Sequence, residues 1–152
     1  MKGDPLKKEK VLFVCIHNSA RSQMAEALLN HLAGDRFEAE SAGLEPGRLH
    51  PLAVEAMEEM GIDISHNSTR SAFDLYKQGR MFKYVITVCD EANAERCPIF
   101  PSVTKTFHWS FADPSALKGS HEEKLRETIA IRDQIKAHIK IWLGDLAVST
   151  PR

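Results

Sequence analysis

The stretch Lys10–Leu32 reads KVLFVCIHNSARSQMAEALLNHL, and its pattern changes twice along the way. Val11–Val14 is a short unbroken apolar run, as in a strand buried on both faces. From Ser22 onward, Ala25, Leu28, Leu29 and Leu32 recur on one face at the 3.6-residue period, which predicts a helix. Between them lies a loop that begins at Cys15 and closes at Arg21. The order is therefore strand, tight loop, helix, with a thiol at one end of the loop and a guanidinium at the other.

That arrangement suits an oxyanion. The first N–H groups of a helix have no partners within it, and the helix dipole makes that end positive. A loop whose amides converge there cradles a tetrahedral anion. The cradle is expected to comprise Cys15, Ile16, His17, Asn18, Ser19, Ala20 and Arg21, with Arg21 offering a planar fork to two anion oxygens. The same field favours thiolate over thiol at Cys15, and Ser22 can donate a hydrogen bond to it. Cys15 then reads as a nucleophile aimed at the central atom of the anion. The plainer reading is a small core residue at the end of a strand. The structural context of the loop favours the catalytic one.

Composition bounds the rest. The chain has 152 residues, 43% hydrophobic and 27% charged, with a net charge of −1, three cysteines and seven histidines. These values fit one globular domain spanning 1–152, with a core over about 10–143 and loose termini at 1–9 and 144–152. Nothing in the charge calls for nucleic acid or a membrane surface, and no run approaches a membrane span or a signal-peptide core. A cytoplasmic monomer is the expectation, in which cysteines serve catalysis or metal binding rather than structural disulfides.

Outward from the opening stretch, Arg36–Ser41 alternates weakly as a second strand, and SAGLEPGRLHP (41–51) reads as a loop. Leu52–Met60 is a helix with Pro51 in its first turn and Gly61 beyond its end, and a short helix is expected over Ala72–Lys77. Tyr84–Val88 (YVITV) is a buried strand ending at Cys89, and Thr104–Trp109 a fourth strand. Glu122–Leu143 is a long helix with Leu125, Ile129, Ile135, Ile139 and Trp142 inward, stopped by Gly144. Strands alternating with helices imply an α/β fold in three layers: a four-stranded parallel sheet with helices on both faces. Ligands bind such sheets beyond the carboxyl ends of the strands. Cys15, Ser41, Cys89 and Asp113 all fall at or just after predicted strand ends and should share one rim.

Three further positions are candidates. On spacing alone, Asp113-Pro114 is an ordinary turn. A carboxyl close to the anion would also be able to pass a proton to a departing oxygen. Cys89 and Cys97 flank the polar linker DEANAER. They read either as two buried thiols or, with His108, as part of a metal site, although no CxxC or HxxxH spacing supports metal. His17 is a loop-shaping residue, while His31, His50, His121 and His138 lie in polar stretches and read as solvated surface.

CIHNSARS resembles the phosphate loop of the low-molecular-weight protein tyrosine phosphatase fold. The longer string FVCIHNSARSQMAEALL is closer to the arsenate reductases built on that fold. The phosphatases usually carry a second cysteine just before the arginine, where this chain has Ala20. An Asp-Pro pair in this late loop carries the general acid in the fold family, which assigns that role to Asp113. The tyrosines that often follow it in tyrosine phosphatases are missing from DPSALKG. VITVCDEANAERCPIFP, followed by HWSFADP, resembles the thioredoxin-coupled arsenate reductases.

The resemblance implies a sequence of thiol steps. Cys15 attacks arsenate held by the loop and Arg21, with Asp113 assisting loss of an oxygen. Cys89 then attacks Cys15 and releases arsenite, and Cys97 attacks Cys89. The final disulfide is reopened by thioredoxin or a similar dithiol, with no organic cofactor. A low-molecular-weight phosphatase acting on phosphotyrosine or small phosphoesters is the alternative. The loop would also accept phosphate or sulfate. Asn18 braces the loop in the family. Some relatives hold potassium behind it with side chains matching Asn18, Glu26 and Ser41 plus an aspartate, at whose position this chain has Arg70. A guanidinium there could replace the cation, so no metal is expected.

Overall fold

The computed structural model describes residues 7–149. Its centre is β1, Glu9–Cys15, whose residues Val11, Leu12, Phe13 and Val14 are all at 0% exposure. β1 pairs in parallel with β2 (Phe37–Gly43) on one side and β3 (Tyr84–Thr87) on the other. β4 (Lys105–His108) adds beyond β3, giving the order β2-β1-β3-β4 in an all-parallel sheet. The expected three-layer α/β architecture is the one observed.

Helices α1 (Arg21–Ala33) and α5 (His121–Ser149) bury one face of this sheet, and α2 (Pro51–Glu58) packs against both. Met24, Leu28, Ile135, Ile139 and Trp142 belong to the apolar cluster on that side. On the other face, Leu12, Val14 and Val85 meet Ala72 and Leu75 of α3 (Ala72–Lys77), together with Phe82 and Phe100. A single turn of helix, α4 (Glu91–Ala94), follows β3. The alternation of β1 side chains between the two clusters is the period-2 geometry of a strand covered on both sides.

Several element boundaries differ from the sequence reading. β1 begins at Glu9, inside the segment expected to be loose, because that carboxylate pairs with Lys83 and lies 3.7 Å from Arg36. Residues 1–6 of that segment lie outside the described residues. β2 runs on to Gly43, since β1 supplies pairing partners as far as Cys15, so Ser41 lies within the strand opposite Phe13 rather than at its end. Strands β3 and β4 are each shorter than expected. Gly144 does not stop α5, which continues to Ser149. The glycine sits on the exposed side with nothing within 4 Å of where a Cβ would be, while Trp142 and Leu146 on either side pack inward. Packing there outweighs the roughly 1 kcal/mol that glycine costs in a helix. The rest of the tail expected to be loose, 150–152, lies outside the described residues.

Three of the histidines expected to be solvated have partners. His50 caps α2 by accepting from the Leu52 N–H at 3.1 Å, His121 lies 3.0 Å from Glu55, and His138 stacks on Trp109 with ring centroids 4.5 Å apart. Arg132, absent from the sequence reading, is buried on α5 and donates to the Ala56 carbonyl at 2.7 Å, closing the end of α2. Among the described residues no helix is long and apolar enough to cross a membrane.

Candidate active site

The loop from Cys15 to Arg21 leaves the end of β1 and enters α1 at the carboxyl rim of the sheet. A second loop, 44–50, shapes it from outside. The N–H groups of Leu44, Glu45, Gly47 and His50 donate to the carbonyls of Cys15, Ile16, His17 and Ser19 at 2.7–3.1 Å. In a trans peptide the C=O and the following N–H point in opposite directions. Engaging those carbonyls outward therefore turns the amides of Ile16, His17, Asn18 and Ala20 towards the inside of the loop. The His17 ring contributes to the same seam, with Nδ1 2.9 Å from the Glu45 carbonyl.

Helix α1 opens into this concavity without a side-chain cap at Ala20 and without an acidic residue in its first turn. Its free N–H groups and positive end are left for an anion. Arg21 is 6% exposed, with one guanidinium nitrogen 3.2 Å from the Phe111 carbonyl and another 3.6 Å from the Asp113 carboxylate. Asp113 is fixed in turn by the Ser115 N–H at 2.9 Å, where a single 3₁₀ turn begins at Pro114. Cys15, His17, Ser19, Ala20, Arg21, Asp113 and Ser115 line one small cavity, so the two charged candidates and the thiol meet in one place.

Beneath the thiol runs a buried polar chain. Ser22 Oγ is 2.9 Å from Cys15 Sγ; Asn18 Nδ2 donates to Ser22 Oγ at 2.8 Å and to Ser41 Oγ at 2.9 Å; Ser41 donates to Glu26 at 2.7 Å. Asn18 has φ 55°, the left-handed region that asparagine tolerates better than most residues. Burial pushes the Glu26 carboxyl above its usual range, partly offset by the Ser41 hydrogen bond and the Arg70 charge. The Arg70 guanidinium itself bonds Glu40 at 3.0 Å. It reaches Glu26 only through its field. Among the described residues no group of three or more His, Cys, Asp or Glu side chains is placed to hold a metal ion.

Sequence reasoning missed two participants in the loop. Gly43, at the end of β2, lies so close that a Cβ there would come 2.8 Å from the Asn18 nitrogen, the His17 carbonyl carbon and the Ile16 oxygen. Gln23 is 1% exposed, and its amide joins Asn18 to the 67–68 segment. The available signal for Gln23 was a polar residue beside the apolar stripe of α1. For Gly43 it was only a glycine just after a predicted strand.

All three cysteines are free thiols. Cys89 is fully buried, and burial raises its thiol to about 11, with the neighbouring Cys15 adding to the rise and Arg21 opposing it. Cys97 is half-buried and raised to about 12, by burial and then by Cys89. Cys15 and Cys89 share one buried cluster, and Cys97 packs against the cluster on the other face of the sheet. His108, the third member of the metal alternative, is turned to Thr87 instead, with Nδ1 2.8 Å from Oγ1.

Residues 10–150 match the low molecular weight phosphotyrosine protein phosphatase family. An arsenate reductase of Shouchella clausii is 41% identical over 136 residues, covering 89% of this chain and 95% of its own. A solved arsenate reductase in the phosphate binding state superposes with a TM-score of 0.73 at 31% identity, over 90% of this chain and 98% of its own. A thioredoxin-dependent arsenate reductase of Corynebacterium glutamicum superposes with a TM-score of 0.70 at 32% identity, over 94% of this chain and 64% of its own.

Proposed function

The chain belongs to the low molecular weight phosphotyrosine protein phosphatase family, and we propose that within it the protein is an arsenate reductase that works through a three-cysteine disulfide relay. The observation that carries this reading is a pair of further free thiols beside the oxyanion loop: Cys89, buried in the same cluster as Cys15, and Cys97, eight residues on across the sheet. A phosphoester hydrolase would use the loop, Arg21 and Asp113, and would have no task for two further thiols. Weak phosphatase activity is expected as a by-product of the shared loop.

The Cys15 thiolate attacks arsenic(V) held by the amides of residues 16–21 and the Arg21 fork. An As–O bond breaks, and Asp113 gives the departing oxygen its proton. Cys89 then attacks Cys15 Sγ. The S–As bond breaks with its electron pair passing to arsenic, so arsenite leaves and a Cys15–Cys89 disulfide remains. Two electrons have moved, one disulfide's worth. Cys89 is held as a thiol by burial and by the negative charge of Cys15. Arsenylation of Cys15 removes that charge while Arg21 stays, which eases ionisation of Cys89 at the moment it is needed.

Cys97 attacks Cys89 and frees Cys15, and the Cys89–Cys97 disulfide is reduced by thioredoxin or a similar dithiol. Such a cycle suits the reducing cytoplasm. The test needs no external reductant: fully reduced protein mixed with arsenate should form one arsenite per chain and lose two of its three thiols. A phosphatase would form no arsenite and keep all three.

A further inference from the structure

We propose that Gln23, braced by the 67–70 loop, acts with the Arg70 N–H to set the direction of the hydrogen bond between Ser22 and Cys15 and is a positioning residue for the thiolate. Two backbone groups with fixed roles determine the amide orientations. The Arg70 N–H can only donate, and it points at the Asn18 side chain at 3.0 Å, so the atom facing it must be Oδ1. The Ser68 carbonyl can only accept, and it faces the Gln23 amide at 3.1 Å, so that atom must be Nε2. Nε2 also donates to Asn18 Oδ1 at 3.3 Å, while Asn67 donates to Gln23 Oε1 at 3.0 Å. Both amide orientations are thereby fixed by one surface loop.

The consequence travels inward. With Oδ1 held by Arg70 and Gln23, the Asn18 NH₂ faces Ser22 and Ser41 and donates to both. The Ser22 oxygen therefore accepts from Asn18, and its own proton is left for Cys15 Sγ, 2.9 Å away. A reversed Asn18 amide would instead draw that proton to itself and leave the thiolate without it. Gln23 and Asn18 are fully buried, so the inner bond of the bracket lies away from water, while Asn67 and Ser68 hold it from the surface. The charged groups facing Cys15 are Arg21 from α1 and Asp113 from the loop after β4, and the neutral Cys89 thiol faces it from the segment after β3. Glu26, His66 and Arg70 line the outer side of the bracket.

This inference rests on Cys15 as the nucleophile, and its test reads the thiolate without turnover, so its failure is separable from failure of the reductase reading. In a Cys89→Ser, Cys97→Ser background, alkylation of Cys15 by iodoacetamide and the ultraviolet thiolate absorbance are followed at neutral pH. Gln23→Met should slow alkylation by roughly two- to tenfold, with a parallel loss of thiolate absorbance, and should add no further loss to Ser22→Ala. Asn67→Ala removes the outer brace without touching the core and should move both readouts in the same direction. It serves as the test if Gln23→Met does not fold. An undiminished effect of Gln23→Met in the Ser22→Ala background, or unchanged readouts in the folded variants, would overturn the proposal.

Discussion

Cys89 and Cys97 belong to different cores: Cys89 to the cluster that contains Cys15, Met24 and Trp109, and Cys97 to the cluster of Leu12, Val14 and Phe100 on the opposite face of the sheet. A disulfide requires Cα atoms roughly 4.4–6.8 Å apart with their Cβ atoms turned together. The segment between them includes the single turn α4, held at its start by the Asp90 carboxylate accepting from the Asn93 N–H at 2.9 Å. So short a helix has little to resist unwinding. Cys97→Ser should therefore release one arsenite per chain and stop at the Cys15–Cys89 disulfide. The wild-type protein oxidised by arsenate should instead carry a Cys89–Cys97 disulfide with Cys15 free, as read by peptide mapping. Continued cycling of Cys97→Ser with thioredoxin would contradict the relay.

Gly43→Ala should cut arsenate turnover by about a hundredfold, as expected when a catalytic loop is displaced by a fraction of an ångström to an ångström. The added methyl would meet three backbone atoms of the loop at 2.8 Å, and backbone cannot rotate aside as a side-chain tip can. Protection of Cys15 from alkylation by phosphate should weaken with it. Unchanged turnover would mean that the loop tolerates a shift at Asn18.

The Glu26 carboxyl is raised above its unfolded value by burial. The folded state therefore keeps its proton over a range in which the unfolded state has lost it, so this group's contribution to stability is present at low pH and falls as pH rises through the folded value. Glu26→Gln, which is neutral throughout, should gain in melting temperature relative to wild type as pH rises above the ordinary glutamate range of about 4.3. A difference that does not change with pH would show that the carboxylate ionises there without penalty.

Much of this site was legible in the sequence because it is local. The run Val11–Val14, the loop from Cys15 and the apolar stripe of α1 are contiguous, and the stripe residues Ala25, Leu28 and Leu29 are buried as the period required. The features that escaped depend on distant segments. Ser41, read as a strand end, became mid-strand because β1 offered it a partner. Gln23 owes its role to Asn67 and Ser68, more than forty residues away. The carbonyls of the anion loop are held by amides of the 44–50 segment, whose composition said only that it was a loop.

Gly144 offers a check on α5. Its Cβ position is empty and its backbone helical, so Gly144→Ala should stabilise the protein by about 0.5–1 kcal/mol without altering activity. Denaturant unfolding measures this, and a loss of stability would mean that α5 does not pass through residue 144 as a regular helix.

The most direct measurement is arsenate-dependent NADPH oxidation in the presence of thioredoxin and thioredoxin reductase, comparing the wild-type protein with Cys89→Ser. Steady NADPH consumption by the wild type, abolished in Cys89→Ser, is the predicted result. NADPH consumption that survives loss of Cys89, or hydrolysis of a chromogenic phosphoester with no arsenate-dependent oxidation at all, would contradict it.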